Sequence, residues 1–235
     1  MDIRINGPKI LFEIPVPGGI PITETVVNTW IIIAVIALLA KILTSGLRVR
    51  NPGRKQVIAE TIVCSLWNMV QKNGAKATAD SCAFIAALFS IALFTGISGL
   101  FGLFSPAADL SGDLGWAIVV FAMITHAKIR RHGFVGYLRG FAKPAAFMAP
   151  INVISEVSLP VSMAFRLFGN IASGTVVMAL VYSFLSTMQE PFFGIPVLQI
   201  GLPALFSVYF DVFAAALQAF IFCMLAMIYI RLAEE

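Results

Sequence analysis

Charged residues are scarce in this chain. They make up 12% of its 235 residues, whereas a soluble globular domain carries about 25%. Hydrophobic residues reach 59%, and the mean hydropathy is +0.92. This composition excludes an ordinary soluble domain and predicts an integral membrane protein. The net charge of +4 does not indicate a nucleic-acid partner, because the basic residues fall between apolar segments, where they mark membrane topology.

Cysteine is rare as well, and Cys64, Cys82 and Cys223 lie far apart. No CxxC pair and no zinc-ligand spacing is present, so we interpret all three as packing residues. The sequence also lacks a clear nucleophile–base pairing, a metal-ligand cluster and a phosphate-binding loop. It therefore predicts no catalytic residue, no resident metal and no cofactor.

We also expect no cleavable signal segment. Four prolines in the first 25 residues exclude a long helix there, and the first long apolar run begins near residue 26. We expect an outer N-terminal segment, 1–25, followed by a single integral membrane domain, 26–235. The hydrophobic pattern predicts membrane spans at 26–47, 81–104 and 114–130, a basic surface helix at 48–80, and two long helices at 150–188 and 197–231. The predicted fold class is an all-α polytopic membrane protein.

The two long segments do not fit as ordinary spans. A helix of about 35 residues is roughly 52 Å long, against a hydrocarbon core of about 30 Å. Neither segment contains a polar turn that would divide it into two spans. We therefore expect two strongly tilted helices that form a hairpin through a turn at 189–196.

The loop charges predict one orientation. Basic residues follow the first and third spans, and Arg231 closes the last helix. The other face carries acids, namely Glu13, Glu24, Asp109, Asp113 and Glu190. By the positive-inside rule the N-terminus lies outside and the C-terminus in the cytoplasm. A bacterial plasma membrane is the expected location, and a thylakoid membrane is the alternative.

Arg166 lies inside an apolar run, where a charge is expensive. Arginine stays protonated, and placing it at membrane depth costs a few kcal/mol, or roughly 10 or more on an isolated helix. Such a residue indicates a partner, a water-filled cavity or a function, and we interpret it as the fixed charge of an ion pathway. Asn170 and Ser162 share its helix face. An interhelical hydrogen bond is the alternative interpretation for Asn170.

Acids flank this arginine along the chain. Glu156 precedes Arg166 by ten residues on the basic, inner side, while Asp211 lies toward the outer end of the last helix. Gln218 follows Asp211 by seven residues and shares its face. This arrangement suits two aqueous pockets that open on opposite faces and are separated by a positive charge. A continuous pore would not need that charge.

The run LPVSMAFRLFGN, which ends at Asn170, closely resembles the signature of the a subunits of F-type ATP synthases. The segment LQAFIF around Gln218, the loop PAADL at 106–110 and the surface helix are similar to that family as well. The resemblance extends from about residue 26 to the end of the chain.

This resemblance implies a stator subunit of the Fo motor, packed against a ring of c subunits, with a b-subunit peripheral stalk and an indirectly attached F1 sector. Arg166, Asn170 and Gln218 match the family's essential arginine, its following amide and its final-helix glutamine. A nearby cation favours the ionised form of a carboxylate. Arg166 would therefore make an arriving c-subunit carboxylate release its ion and would block leakage between two half-channels.

The chain also departs from the family pattern. Thr175 stands where many members have a glutamate, and Asp211 where many bacterial members have a histidine. We count both, with Ser162 and Glu156, as candidate ion-translocation residues. The coupling ion is H⁺ or Na⁺, and transient Na⁺ binding near Asp211 is one option. A stand-alone ion transporter or channel is the alternative function, although the sequence shows no internal repeat; an intramembrane enzyme is a third.

Overall fold

The computed structural model describes residues 8–15, 20–48, 53–73, 79–142, 145–189 and 205–234. Five of its helices are long and apolar enough to cross a membrane, namely Glu24–Thr44, Asp80–Phe101, Leu110–Phe141, Ala149–Leu185 and Leu205–Ala233. The predicted all-α polytopic fold is confirmed. One small β-hairpin accompanies the helices in the described part of the chain.

The hairpin precedes the first helix. Strands β1 (Ile10–Ile14) and β2 (Ile20–Thr23) pair antiparallel. Pro21 lies within β2, which is an edge strand and so tolerates the missing amide hydrogen. The main-chain amide of Glu24 donates to the carbonyl of Lys9 at 2.9 Å. This bond joins the hairpin to helix α1 (Glu24–Thr44).

The next helices differ in length from the sequence expectation. Helix α2 (Arg54–Asn73) is shorter than the range 48–80, and helix α3 (Ala79–Ile97) continues as a 3₁₀ turn to Phe101. The turn ends at Gly102, whose φ of 70° is left-handed, a conformation that glycine adopts without penalty.

Helix α4 (Leu110–Phe141) extends well beyond the expected range 114–130. It begins where the Asp109 carboxylate accepts a hydrogen bond from the Ser111 amide at 3.0 Å, as a helix-capping side chain does. Its regular part ends at Gly133, with φ 71° and ψ 163°. The basic residues at 130 and 131 therefore lie within the helix. Charged side chains alone do not end a helix, whereas a left-handed backbone conformation such as that of Gly133 does.

The last two helices carry the sequence motifs. Helix α5 (Ala149–Gln189) has 41 residues, and at 1.5 Å per residue it is about 61 Å long. The expected turn at 189–196 lies almost wholly outside the described residues. The final helix opens with a π-helical segment, Val208–Ala214, and continues as α6 (Ala215–Glu234).

The chain forms two compact units. Unit 1 comprises Met1–Ile32, Ala92–Asp113 and Phe165–Ala219, and unit 2 comprises Ile33–Ile91, Leu114–Ala164 and Phe220–Glu235. Unit 2 has an apolar core that includes Ile85, Val120, Ile124 and Phe222. Cys82 and Cys223 are buried in unit 2, which fits the packing interpretation, but Cys64 is exposed and does not serve that role.

Candidate functional site

Arg166 is exposed on α5 and belongs to unit 1. Within the described parts of the chain it forms no hydrogen bond and no ion pair. A guanidinium carries five donors and a permanent charge, and its helix is one of the five apolar spans. A partner for this guanidinium must therefore lie outside the described residues, as water or as another group.

Asn170 lies one turn beyond Arg166 and connects α5 to the π-helical segment. Its side-chain amide donates to the main-chain carbonyl of Ala214 at 3.4 Å, a long and weak hydrogen bond. A π-helical turn departs from the regular α-helical bonding pattern, and Ala214 is its last residue. The interhelical bond that the sequence left as the alternative for Asn170 is thus present.

Two glycines, Gly96 in α3 and Gly174 in α5, allow these helices to pack closely against the start of the final helix in unit 1. A Cβ atom added to Gly96 would lie 2.5 Å from the Cβ of Ala215, which no real contact permits. A Cβ on Gly174 would lie 3.4 Å from the ring of Phe210. The backbones of α3 and α5 therefore approach the start of the final helix at these two positions.

Asp211 and Gln218 occupy the same unit as Arg166. Asp211 is half-buried, and a Cβ on Gly99 would lie 3.6 Å from its carboxylate oxygen Oδ1. Gln218 is only 9% exposed, and its amide nitrogen has no hydrogen-bond partner among the described residues. A buried amide donor without a partner is unfavourable, so this position is suited to a group from outside the described residues.

Glu156 and Ser162 belong to unit 2. Glu156 forms an ion pair with Lys128, whose ammonium lies 2.6 Å and 2.7 Å from the two carboxylate oxygens. The Glu156 side chain is 16% exposed and the Lys128 side chain is 28% exposed. The sequence indicated Lys128 only as a topology marker. Its pairing joins two helices, and the local sequence carries no signal for it.

Thr175 and Ser162 are exposed on α5. The Thr175 hydroxyl donates to the Ile171 carbonyl of its own helix at 2.6 Å, a common arrangement for threonine in helices. Its oxygen still has acceptor capacity toward an outside group. Both residues lie on exposed surface, whereas Asp211 and Gln218 are shielded.

Sequence reasoning missed one group of polar residues in unit 1. Thr25, Asn28 and Asp113 are buried. The sequence indicated Asp113 as a loop acid, but it lies in the first turn of α4. The positions of Thr25, Asn28 and the buried Ile32 follow the i, i+3, i+7 spacing of one helix face, and that spacing is the signal that could have revealed them.

Among the described residues, no group of three or more histidine, cysteine, aspartate or glutamate side chains could hold a metal ion. The polar groups of unit 1 include carboxylates, amides and hydroxyls. Such groups suit transient contact with a monovalent cation or with water.

Comparisons with known proteins agree with the sequence motifs. A family model described as ATP synthase A chain matches residues 26–231. The sodium-ion-specific ATP synthase subunit a of Propionigenium modestum is 30% identical and aligns over 97% of this chain and 85% of its own length. ATP synthase subunit a of Legionella pneumophila strain Philadelphia 1 is 32% identical over 91% and 87%. ATP synthase subunit a 2 of Bradyrhizobium sp. strain BTAi1 is 30% identical over 94% and 92%.

Proposed function

Because this chain belongs to the ATP synthase A chain family, we propose that Arg166 is the fixed charge around which its ion pathway is arranged. The chain is an integral membrane, ion-translocating stator subunit of the Fo sector, and it is not itself the catalytic subunit. Membership of this family sets aside the stand-alone transporter or channel. The roles of individual residues, the named partners and the orientation are our proposal.

The observation that carries the proposal is the exposure of the Arg166 guanidinium on an apolar helix and its lack of a partner among the described residues. A c-subunit carboxylate that arrives opposite it would be favoured in its ionised form and would release its ion. Water around the exposed guanidinium keeps the resulting ion pair short-lived, because a solvated pair is weak.

Asp211 and Gln218 serve this charge from the final helix, and Asn170 serves it from α5, one turn beyond Arg166. Asp211 receives or delivers the cation in the outer half-channel, and the shielded Gln218 amide orients the guanidinium without neutralising it. Asn170 links α5 to the π-helical segment through its long bond to Ala214. An amide suits both tasks, since it is polar but carries no charge.

Glu156 serves the opposite half-channel. Its carboxylate is bound to Lys128, so a cation that leaves by this route must displace the ammonium. Ser162 and Thr175 lie on the exposed surface of α5, and we assign both to the polar surface along which the ion or its water moves. Each candidate ion-translocation residue is thus assigned its own role in the proposed pathway.

The coupling ion is H⁺ or Na⁺. The Propionigenium modestum relative is named sodium ion specific, and carboxylate and neutral oxygen groups suit a hard cation. Those same groups also relay protons through water. Both ions are therefore compatible with these polar groups.

We assign the N-terminus to the outside and the C-terminus to the cytoplasm of a bacterial plasma membrane, with a thylakoid membrane as the alternative. The support is the distribution of basic residues, including Arg231 in the last turn of α6. The partners that we propose are the c ring, the b-subunit stalk and, indirectly, the F1 sector.

The Arg166→Ala variant of the complete complex tests the proposal. In reconstituted vesicles with an imposed ion gradient, we expect ATP synthesis to be abolished while the complex still assembles. Arg139→Ala is the matched control, because Arg139 is an exposed arginine in the last turn of α4. Normal synthesis in Arg166→Ala would refute the proposal.

A further inference from the structure

Buried polar residues are confined to one of the two units. Among the described residues, seven polar side chains are buried, namely those of Thr25, Asn28, Thr95, Ser98, Ser105, Asp113 and Gln218. All of them belong to unit 1. In the described part of unit 2 no polar residue is buried as a whole, although the hydroxyl oxygen of the half-buried Thr125 is enclosed there. Burying polar groups is unfavourable unless they are paired or used. Their concentration in unit 1 therefore calls for an explanation.

Hydrogen bonds connect α1 to the loop that precedes α4. The Thr25 hydroxyl donates to the Asp109 carboxylate at 2.8 Å and also lies 2.7 Å from the hydroxyl of Thr23. One turn later, the Asn28 amide donates to the carbonyl of Phe104 at 2.9 Å. Polar groups thus follow one face of α1.

The same series continues toward Asp211. Ser105, the neighbour of Phe104, donates to the carbonyl of Thr95 at 2.8 Å, and Ser98 donates to that carbonyl at 2.6 Å. The next residue, Gly99, is the one that faces the Asp211 carboxylate. A nearly continuous series of polar groups therefore leads from Asp109 to Asp211 within unit 1.

Asp113 lies one turn beyond Asp109, the first acid of this series, and is the anomalous group at this end of it. Its side chain is 3% exposed, and its oxygen Oδ2 has no hydrogen-bond partner among the described residues. Its main-chain amide bonds to the carbonyl of Asp109 at 3.2 Å, which places it one turn along α4. The Asp109 carboxylate, in contrast, accepts from Thr25 and from the Ser111 amide.

The position of Asp113 in the first turn of α4 does not by itself account for its burial. The helix dipole favours a negative charge there, but that effect is smaller than the unfavourable desolvation of an unpaired carboxylate. A cation bound at the free oxygen would compensate the charge. In the same unit, Thr25 and the carbonyls of the loop before α4 are neutral oxygens of the kind that a monovalent cation or its water prefers.

We propose that Asp113 is a binding station for the transported monovalent cation on its way to Asp211. This inference rests on the proposed function, in which Asp211 lines the outer half-channel. The cation is a proton carried by water or a sodium ion. The polar series between Asp113 and Asp211 passes it inward, and Asp113 raises its local concentration at the entrance.

The first test uses Asp113→Asn in the complete complex, reconstituted in vesicles. ATP synthesis is measured against Na⁺ concentration with the proton gradient collapsed, and against proton concentration without Na⁺. For the ion that drives synthesis, we expect the half-saturating concentration to rise about tenfold, equivalent to about 1.4 kcal/mol of binding, with little change in the maximal rate. Asp80→Asn is the control, since Asp80 is an exposed acid in the first turn of α3.

An unchanged half-saturating concentration, with only a reduced amount of complex, would assign Asp113 a structural role and overturn the inference. Arg166→Ala is measured in parallel. Lost synthesis in that variant, together with normal ion dependence in Asp113→Asn, refutes the binding station alone. Normal synthesis in Arg166→Ala refutes the proposed function.

A second variant tests the inference independently, in case Asp113→Asn assembles poorly. Asp113→Cys is placed in a background without Cys64, Cys82 and Cys223 and is exposed to Ag⁺, a monovalent cation that binds thiolates. We expect Ag⁺ added from the outer side to inhibit synthesis in this variant and not in its cysteine-free parent. Equal insensitivity of the two would show that cations do not reach this position, and would overturn the inference.

Discussion

The ammonium of Lys128 lies 2.6 Å and 2.7 Å from the two carboxylate oxygens of Glu156. A carboxylate held in this way is charge-compensated and is not free to bind a passing cation. If Glu156 lines the inner half-channel, as we propose, this ion pair represents the closed form of that route. The outer acid Asp211 has no such cation partner among the described residues.

The first prediction is that Asp211 and Glu156 are reached from opposite sides of the membrane. Each is replaced by cysteine in turn, in the background without native cysteines, and probed with a membrane-impermeant thiol reagent. Asp211→Cys should react from the outer side and Glu156→Cys from the inner side. Equal reaction from both sides, or the reverse pattern, would contradict the two half-channels.

The second prediction concerns the close packing of Gly96 against Ala215. Gly96→Ala should destabilise the subunit by about 1–3 kcal/mol, as overpacking does, because its Cβ would lie 2.5 Å from that of Ala215. The double variant Gly96→Ala/Ala215→Gly should recover most of the loss. The measurement is the retention of the subunit in the complex during heating.

Gly115→Ala is the matched control for this packing prediction. Gly115 lies in α4, and an added Cβ there would meet nothing within 4 Å. Alanine is a better helix former than glycine by about 1 kcal/mol, so the control should be neutral or stabilising. Equal effects of Gly96→Ala and Gly115→Ala would rule out the close approach.

The third prediction concerns Gln218, whose amide nitrogen is buried without a partner among the described residues. Gln218→Leu should slow ion-driven synthesis and leave it coupled. Gln218→Glu should be more harmful, because a carboxylate would pair persistently with Arg166. Rotation and synthesis rates are measured for both variants. Wild-type rates in Gln218→Glu, with none in Gln218→Leu, would exclude an amide that orients the arginine.

Much of the fold was predictable, because bilayer solvation imposes a simple rule. A span needs about 20 apolar residues, and that pattern reveals the five apolar helices and the chain's class. Arg166 was recognisable for the same reason, since a permanent charge in such a run is unfavourable without a function. These inferences need only local sequence.

The unpredicted features depend on tertiary contacts or on small changes in backbone geometry. Lys128 lies at the end of the expected span 114–130, and its pairing with Glu156 was missed because it depends on tertiary packing. Asp113 was assigned to a loop for a similar reason, and its burial depends on packing. The π-helical turn that contains Asp211 has no clear sequence signature, since one extra residue in a turn hardly alters a hydrophobic pattern.

The central claim is that Arg166 both forces ion release and prevents direct passage between the half-channels. Its most direct test is the passive ion leak through Arg166→Ala complexes in vesicles, without ATP turnover, for H⁺ and for Na⁺. We predict a leak of the coupling ion above that of wild type and of Arg139→Ala, together with the loss of synthesis. A passive ion leak equal to that of wild type, in Arg166→Ala vesicles that still synthesise ATP, would contradict the account.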